Sequence, residues 1–297
     1  MVIFVYTVIH RFRPNRSTID NIFIIRQISE KCHEYNIELH NVFVDFMQAF
    51  DSVNRSTIHE CLKQYKVPRK LIKLVQATLK RTKVKAKIIN DMTEQFEITS
   101  GVKQGDPLSA LLFSIVMDVI ISKVEARGNI STRLKQISAY DDDIIITGRT
   151  KQVTMDTFTK LKNEASKFGL SINENKTKYM MCSRNQHREN KLEIDNMSFE
   201  SVQSFKYLGS TVNQNNTIEE EIKERLIAGN KAFYANQKMF QNKLLSKKSK
   251  LKLYWTLIRP MVTYACETWV LKENSIQKKN IEKNLWTNQR SKWPVEN

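Results

Sequence analysis

The chain has 297 residues, and its 48 Lys and Arg against 31 Asp and Glu give a formal net charge of +17. This excess favours a polyanionic partner, above all nucleic acid, although proteins of membrane surfaces share it. Seven glycines and five prolines argue against a low-complexity chain, and four scattered cysteines and five histidines show no zinc-binding spacing, which leaves free thiols as the default.

The first elements follow from short-range signals. Residues 2–9 form an apolar run that predicts a strand; it is too short to span a bilayer and lacks the features of a signal peptide. We expect no later run to be long enough for a membrane helix. Residues 17–20 resemble a capping box that opens a helix. Residues 41–46 predict a buried strand, and residues 56–80 predict two helices that break at Pro68.

The later elements alternate between strands and helices. Residues 82–99 predict a hairpin around Asn90–Asp91, with lysines on one face. The remaining predicted elements are a helix over 107–127, strands on either side of residues 141–143, a helix over 152–168, strands over 177–182, 191–200 and 205–212, and two long basic helices over 217–243 and 247–271. We predict a domain boundary after residue 214, where the sequence becomes richer in lysine.

Carboxylates inside apolar segments are the main chemical signal. Asp45 lies in FVDFMQAFD, and three consecutive aspartates lie in ISAYDDDIIITG (137–148). A buried, unpaired carboxylate is costly, so these groups need a cation or water. The simpler explanations are a solvated hairpin turn for residues 141–143, and a helix cap or a lysine salt bridge for Asp45. Two strands that bring Asp to one place in a basic protein favour Mg²⁺, and two such ions can support nucleotidyl transfer.

The order of the motifs supports a family assignment. Over residues 10–271 the chain resembles the reverse transcriptases of non-LTR retrotransposons. The segments that carry the resemblance are FRPNRSTIDNI (12–22), FVDFMQAFDSVNR (43–55, motif A), GVKQGDPLSALLF (101–113, motif B), AYDDDIIITG (139–148, motif C), GLSINENKTK (169–178, motif D), FKYLGSTV (205–212, the primer-gripping hairpin) and LYWTLIRPMVTYACETWVL (253–271, thumb).

The resemblance implies a catalytic role for three aspartates. Asp45, Asp142 and Asp143 would ligate two Mg²⁺ ions, with Mn²⁺ as an alternative, and the Phe46 carbonyl would add an oxygen. Asp142 would be the more direct ligand of the motif C pair. Asp141 replaces the alanine of the family's Tyr-Ala-Asp-Asp, and we expect its extra charge to weaken polymerisation.

The resemblance also implies a nucleotide site. Phe50 would be the gate that excludes a 2′-hydroxyl, or else an ordinary core residue. Gln104 and Gly105 would form the motif B loop near the base pair. Lys176 would touch or protonate the leaving phosphate, or else be a solvated charge.

Five lysines of the C-terminal region would contact the backbone of the template–primer duplex, and a solvated lysine face is the alternative. They are Lys243, Lys247, Lys248, Lys250 and Lys252. We expect Tyr254, Trp255 and Trp269 to be core residues and not base-stacking platforms.

The predicted fold is therefore α+β, a polymerase right-hand palm with partial fingers (residues 1–214), a helical thumb (215–272) and a polar tail (273–297). The predicted function is RNA-directed DNA synthesis from dNTPs on an RNA template with a DNA primer, without a membrane, in the nucleus or cytoplasm. The chain resembles an N-terminally truncated copy, with departures at Arg11, Gln48 and Ala110. The alternatives are an inactive nucleic-acid-binding remnant and, less well supported by the motifs, a metal-dependent nuclease.

Overall fold

The computed structural model describes residues 8–9, 17–80, 82–88, 91–124, 135–183 and 190–269. The chain divides into two compact units, the first made of residues 1–208 with 213–215, and the second of residues 209–212 with 216–297. The predicted boundary after residue 214 lies near this division. The predicted strand over residues 2–9 and tail over 273–297 lie mainly or wholly outside the described residues.

The first unit combines a sheet with helices. Its elements are β1 (Val8–Ile9), α1 (Thr18–Glu34), β2 (Leu39–Val44), α2 (Ala49–Ser52), α3 (Arg55–Gln64), α4 (Arg69–Leu79), β3 (Thr82–Val84), β4 (Lys87–Ile88), β5 (Asp91–Met92), β6 (Phe96–Ile98), α5 (Pro107–Val124), β7 (Lys135–Tyr140), β8 (Asp143–Gly148), α6 (Lys151–Lys167), β9 (Lys178–Cys182), β10 (Lys191–Ile194), β11 (Met197–Ser201) and β12 (Ser204–Tyr207).

Local sequence signals set several of these boundaries. The Ser17 backbone N–H donates to the Asp20 carboxylate at 2.7 Å, which is half of a capping box and opens α1. The break at Pro68 is confirmed, because α4 begins directly after it. The predicted hairpin over 82–99 forms as two antiparallel pairs, β3 with β6 and β4 with β5.

Seven strands form the main sheet, in the order β1-β7-β8-β2-β9-β11-β10. Every residue of β2 is buried, because β2 pairs with β8 on one side and β9 on the other and helices cover the sheet. Val44 lies opposite Ile144 in this register. The end of β2 and the start of β8 therefore meet at the same edge of the sheet.

The core of this unit is built around α5, which contacts α3 and α6. Leu112, Phe113 and Val116 are almost completely buried. Our expectation about membrane helices was too strong, since the 18 residues of α5 are long and apolar enough to cross a bilayer. Because 56% of that segment is buried inside the protein, its apolar surface is satisfied by the core.

The second unit is mostly helical. It contains most of β13 (Ser210–Asn213) and then α7 (Glu219–Ala235), α8 (Gln237–Gln241), α9 (Lys247–Leu253), a π-helical turn (Tyr254–Ile258), α10 (Arg259–Thr263) and a 3₁₀ turn (Cys266–Thr268).

The two long helices predicted for this unit are broken, and that prediction was wrong in extent. The first stops at Asn236, whose side-chain amide donates to the Ala232 carbonyl at 2.8 Å. The second passes through the π-helical turn just before Pro260, which has no N–H to donate and whose ring crowds the preceding turn. It ends before Ala265, which has a left-handed φ of 59°.

A buried ionic cluster stabilises this unit. The Glu221 side chain is fully buried, and its carboxylate accepts hydrogen bonds of 2.6 Å from the Thr211 backbone N–H and from Arg225 Nε. Arg225 also donates to the Gly209 carbonyl and lies 4.7 Å from the centroid of the Tyr264 ring. Glu221 thus joins α7 to β13, and Arg225 joins α7 to the turn that precedes β13.

We predict that Glu221→Gln lowers the free energy of unfolding by about 3 kcal/mol, because Arg225 would lose its buried counter-charge. Urea unfolding of the whole chain measures this loss. Glu220→Gln, which removes the same charge from an exposed position in the same turn, is the control. Equal losses for the two variants would contradict the role assigned to Glu221.

Candidate active site

The candidate site lies at the edge of the sheet where β2 ends and β8 begins. Asp45 directly follows β2, and Asp141 and Asp142 form the two-residue turn between β7 and β8, in which Tyr140 lies opposite Asp143. Asp45 and Asp143 line one cavity of about 360 Å³. The other residues that line it are Phe43, Val44, Ile144, Asn175, Lys176, Lys178, Phe205 and Tyr207.

Asp45 is held by its backbone while its carboxylate stays available. Its N–H donates to the Thr177 hydroxyl at 3.2 Å, and its carbonyl accepts from the Asn173 N–H at 2.8 Å. The Oδ2 atom is buried without a hydrogen-bond partner among the described residues. A desolvated carboxylate oxygen of this kind is suited to a cation.

The electrostatics of Asp45 agree with this arrangement. Burial is the main cause that raises the pKa of the Asp45 carboxyl, and the negative charge of Asp142 raises it further. Lys176 and a hydrogen bond from Asn173 oppose the rise in pKa. Asp45 and Asp142 are therefore close enough to repel each other, and a cation between them would relieve both the repulsion and the burial cost.

Lys176 belongs to the same site. Its Nζ lies 3.9 Å from Asp45 Oδ2, although its side chain is 70% exposed. At this distance and exposure the ion pair contributes little to stability, so the ammonium group can turn towards a ligand. The structure thus brings Lys176 to the Asp45 carboxylate.

The aspartate triplet has three different environments. Asp141 is buried and has a left-handed φ of 62°, Asp142 is half-buried and Asp143 is exposed. A tight two-residue hairpin needs positive φ at its first central residue, and Asp adopts this conformation more readily than Ala. The turn geometry therefore gives a conformational reason for Asp141 that its sequence position alone did not indicate.

The metal donors are all oxygen atoms, as Mg²⁺ prefers, but the set is incomplete. Across the described ranges, no three His, Cys, Asp or Glu side chains lie close enough together to form a metal cluster. Asp45 Oδ2, which is buried and accepts no hydrogen bond from the described residues, and the neighbouring Asp142 charge fit a divalent cation. The Phe46 carbonyl lies on the same segment, where Phe46 forms a bridge with Ile172.

The predicted nucleotide-binding residues form a second group. The Phe50 ring is half-buried and stacks on Phe113, with centroids 4.5 Å apart. The Phe50 carbonyl accepts from the Val102 N–H at 2.7 Å, which joins motif A to the motif B loop. Gln104 and Gly105 are exposed in that loop, and Gly105 has a φ of 83°, which glycine adopts without strain. These residues are not part of the cavity lining around Asp45.

The predicted lysine contacts lie in the second unit. Lys243 is exposed in the connection between α8 and α9, and the others lie on α9, where Lys247, Lys248 and Lys252 are exposed and Lys250 is half-buried. The prediction that Trp255 is a core residue was wrong. Its side chain is 52% exposed, and the Arg259 guanidinium lies 4.1 Å from its ring centroid. This stacking covers one ring face without burying the indole.

Sequence reasoning missed the residues that support Asp45. Thr177 is fully buried, and both Asn173 and Thr177 lie within the GLSINENKTK segment that carries motif D. It also missed Tyr207, a buried residue whose pKa is raised by burial and then by the charge of Asp143. Tyr207 lies in the FKYLGSTV segment (205–212), whose resemblance to the primer-gripping hairpin could have identified it. Tyr207 packs 5.8 Å from Phe43, between ring centroids.

Comparison with known proteins settles the family. A family model described as reverse transcriptase (RNA-dependent DNA polymerase) matches residues 4–212. The chain belongs to the reverse transcriptase family. The resemblance predicted from the motifs is thereby confirmed, and members of this family generally use divalent metal ions.

The curated relatives are retrotransposon proteins. The Pol polyprotein of the type-2 retrotransposable element R2DM from Drosophila melanogaster is 27% identical over 167 residues, which cover 56% of this chain and 16% of that protein. A probable RNA-directed DNA polymerase from the transposon X-element of the same organism is 20% identical over 270 residues, or 88% of this chain and 29% of that protein. The chain thus spans less than a third of either relative.

Solved structures support the fold. A telomerase from Candida tropicalis, in complex with a fragment of telomeric RNA, is 16% identical with a TM-score of 0.50. The match covers 92% of this chain and 43% of the telomerase chain. Together with the mixed sheet and helices, this confirms the predicted α+β polymerase fold.

We predict that Asp141→Ala lowers the free energy of unfolding by about 1 kcal/mol, because alanine is strained at a left-handed φ. Asp141→Asn removes the same charge but keeps a side chain that tolerates this conformation, so we expect a smaller loss. Urea unfolding compares the two variants. An Ala variant as stable as the Asn variant would show that backbone conformation does not select Asp141.

Proposed function

We propose that this chain acts as an RNA-directed DNA polymerase, which extends a DNA primer with dNTPs on an RNA template by a two-metal mechanism. The observation that carries the proposal is the Asp45 Oδ2 atom, which is buried without a hydrogen-bond partner among the described residues and lies beside the turn that carries Asp142, at the edge of a reverse transcriptase sheet. Apart from the long ion pair with the exposed Lys176, this oxygen matches what a hard divalent cation requires.

Asp45, Asp142 and Asp143 would hold the ions, with the Phe46 carbonyl as a further ligand. When bound, two such ions activate the primer 3′-hydroxyl and neutralise charge on the leaving pyrophosphate. Lys176 approaches the same carboxylate from the exposed side, where its ammonium group would contact or protonate the leaving phosphate. The Thr177 and Asn173 hydrogen bonds would keep the Asp45 backbone fixed as substrate enters.

The proposed substrates fit the other two groups of residues. Phe50, braced by Phe113, would close the sugar site against a 2′-hydroxyl, and Gln104 and Gly105 would lie beside the base pair. The five exposed or half-exposed lysines of the second unit would bind the phosphates of the template–primer duplex without reading its sequence. The matching family model is described as an RNA-dependent DNA polymerase, which supports RNA as the template.

A second candidate function is an inactive, basic nucleic-acid-binding protein with a polymerase fold. The observation that favours it is the incomplete carboxylate cluster in the described part of the chain. The charge of Asp141, directly before the proposed catalytic pair, also favours it. The net charge of +17 supports binding to nucleic acid under either function.

We predict that Asp142→Ala abolishes primer extension in Mg²⁺ or Mn²⁺ while leaving the affinity for the RNA–DNA duplex within about twofold, because phosphate contacts supply that affinity. Primer extension on an RNA template and duplex binding across a salt series measure the two properties. Asp156→Ala, which removes an exposed aspartate on α6, is the control. A wild-type chain that binds the duplex but does not extend the primer would favour the inactive function. Equal extension by wild type and Asp142→Ala would contradict the two-metal assignment.

We predict that Phe50→Ala lets ribonucleotides compete with deoxynucleotides, because the ring that would block the 2′-hydroxyl is gone. Extension with matched dNTP and rNTP concentrations measures the sugar preference. Phe96→Ala, at an exposed phenylalanine on β6, is the control. A lower free energy of unfolding with an unchanged sugar preference would identify Phe50 as a core residue only.

A further inference from the structure

We propose that Arg55 is a positioning residue for the nucleotide site, because it fixes the motif B loop against the segment that carries Phe50. The role of Arg55 in nucleotide binding rests on the proposed polymerase function, whereas its contacts with the loop do not depend on that function. Arg55 is the last residue of the motif A segment and the first residue of α3, and it is half-buried.

The guanidinium group joins four separate points of the chain. Arg55 Nε donates to the Gly101 carbonyl at 2.8 Å. One terminal nitrogen lies within hydrogen-bonding distance of the Leu79 carbonyl at 2.5 Å, the Ile98 carbonyl at 2.8 Å and the Thr82 hydroxyl at 3.3 Å. The end of α4, the β3–β6 pair and the motif B loop are therefore held by one side chain.

The backbone of the loop is fixed to the Phe50 segment by the same junction. The Gly101 N–H donates to the Val53 carbonyl at 2.7 Å, and the Val102 N–H donates to the Phe50 carbonyl at 2.7 Å. Gly101 has a φ of 73°, and a Cβ there would lie 2.5 Å from the Asp51 carbonyl oxygen. Both polar groups of Gly101 are thus bonded to residues 53–55, in a conformation that only glycine adopts without strain.

Arginine is the residue that this junction requires. Its planar group directs donors in several fixed directions, whereas the single nitrogen of lysine is a point charge on a flexible stem. Burial lowers the pKa of the Arg55 guanidinium and the charge of Glu97 opposes this lowering. The group stays protonated, as arginine does in proteins. Its hydrogen-bond partners are three backbone carbonyl oxygens and one hydroxyl oxygen, so it serves to hold backbone in place.

The consequence reaches the nucleotide site through Phe50. Phe113 holds the Phe50 ring from one side, and the bond from Val102 holds its backbone from the other. Gln104 and Gly105 follow only a few residues after Gly101. If the Arg55 hydrogen bonds are lost, Phe50 and the motif B loop are no longer held in a fixed position relative to each other. Only a fraction of the molecules would then present a nucleotide site in the conformation that binds dNTP.

The test compares Arg55→Met and Arg55→Lys with Arg69→Met, which removes an exposed arginine at the start of α4. The first measurement is hydrogen exchange of the Gly101 and Val102 amides in the whole chain, without substrate. We expect faster exchange at both amides in Arg55→Met, a smaller increase in Arg55→Lys and none in Arg69→Met. Unchanged exchange in Arg55→Met would overturn the proposed junction.

The second measurement is steady-state primer extension at varied dNTP concentration. We expect Arg55→Met to raise the KM for dNTP about tenfold, with a smaller change in kcat and a weaker preference for dNTP over rNTP, because fewer molecules are competent. Gly101→Ala, which displaces the same loop without removing charge, should give the same pattern. Faster exchange with unchanged KM and sugar preference would overturn the link to nucleotide selection.

The two measurements separate this inference from the proposed function. A wild-type chain without polymerase activity would overturn the proposed function and with it the role in nucleotide selection, whereas the exchange experiment would still decide whether Arg55 holds the loop. If Arg55→Met does not fold, Arg55→Lys and Gly101→Ala still test the inference. Each of these two variants must by itself change the hydrogen exchange or the kinetics in the stated direction.

Discussion

The pairing of β2 with β8 is the constraint on which the candidate site depends. With Val44 opposite Ile144, the residue after β2 and the turn before β8 share one edge of the sheet. Successive residues of a strand point to opposite faces, so a slip of one residue would send the Asp45 carboxylate to the other face. The buried hydrogen bond from the Thr147 hydroxyl to Asn41 Oδ1 opposes such a slip, because these two residues are partners in this register. A buried polar contact within the sheet therefore helps to fix the site at its edge.

Hydrogen bonds to backbone groups, more than ion pairs, hold the loops around this edge. Thr177 and Asn173 fix the backbone of Asp45, and Gly101 is bonded on both sides to residues 53–55. This division leaves the Asp45 carboxylate in a long ion pair of 3.9 Å with Lys176, whose side chain is 70% exposed. Because such a pair is weak, both charges stay available to a cation or a phosphate. In the second unit, by contrast, the buried Glu221 is paired with the half-buried Arg225, and this ion pair serves stability.

Much of the fold could be predicted from short-range patterns, because those patterns are local. The buried strand around Phe43, the capping box at Ser17 and the break at Pro68 are each decided by neighbouring residues. The extent of the second-unit helices was not predictable from periodicity, since Pro260 acts on the turn before it. Asp141 and Arg55 show a deeper limit: a left-handed φ and a bond to a distant carbonyl depend on tertiary geometry. The motifs placed Asp45, Asp142 and Lys176, but not the residues that hold them.

The Asp45 carboxyl shows why such a site lowers the stability of the unliganded protein. Burial and the neighbouring Asp142 raise the pKa of its carboxyl in the folded state. A group with a raised folded pKa favours folding most below its unfolded pKa, and that contribution is lost as pH rises through the folded value. Above its folded pKa the ionised Asp45 therefore works against folding, and Lys176, with its exposed side chain, offsets only part of this loss of stability. A fold that needed Asp45 only for stability would be better served by an apolar residue or by a fully paired carboxylate. Asp45 Oδ2, which is buried and accepts no hydrogen bond from the described residues, is thus more easily understood as a binding group than as a structural one.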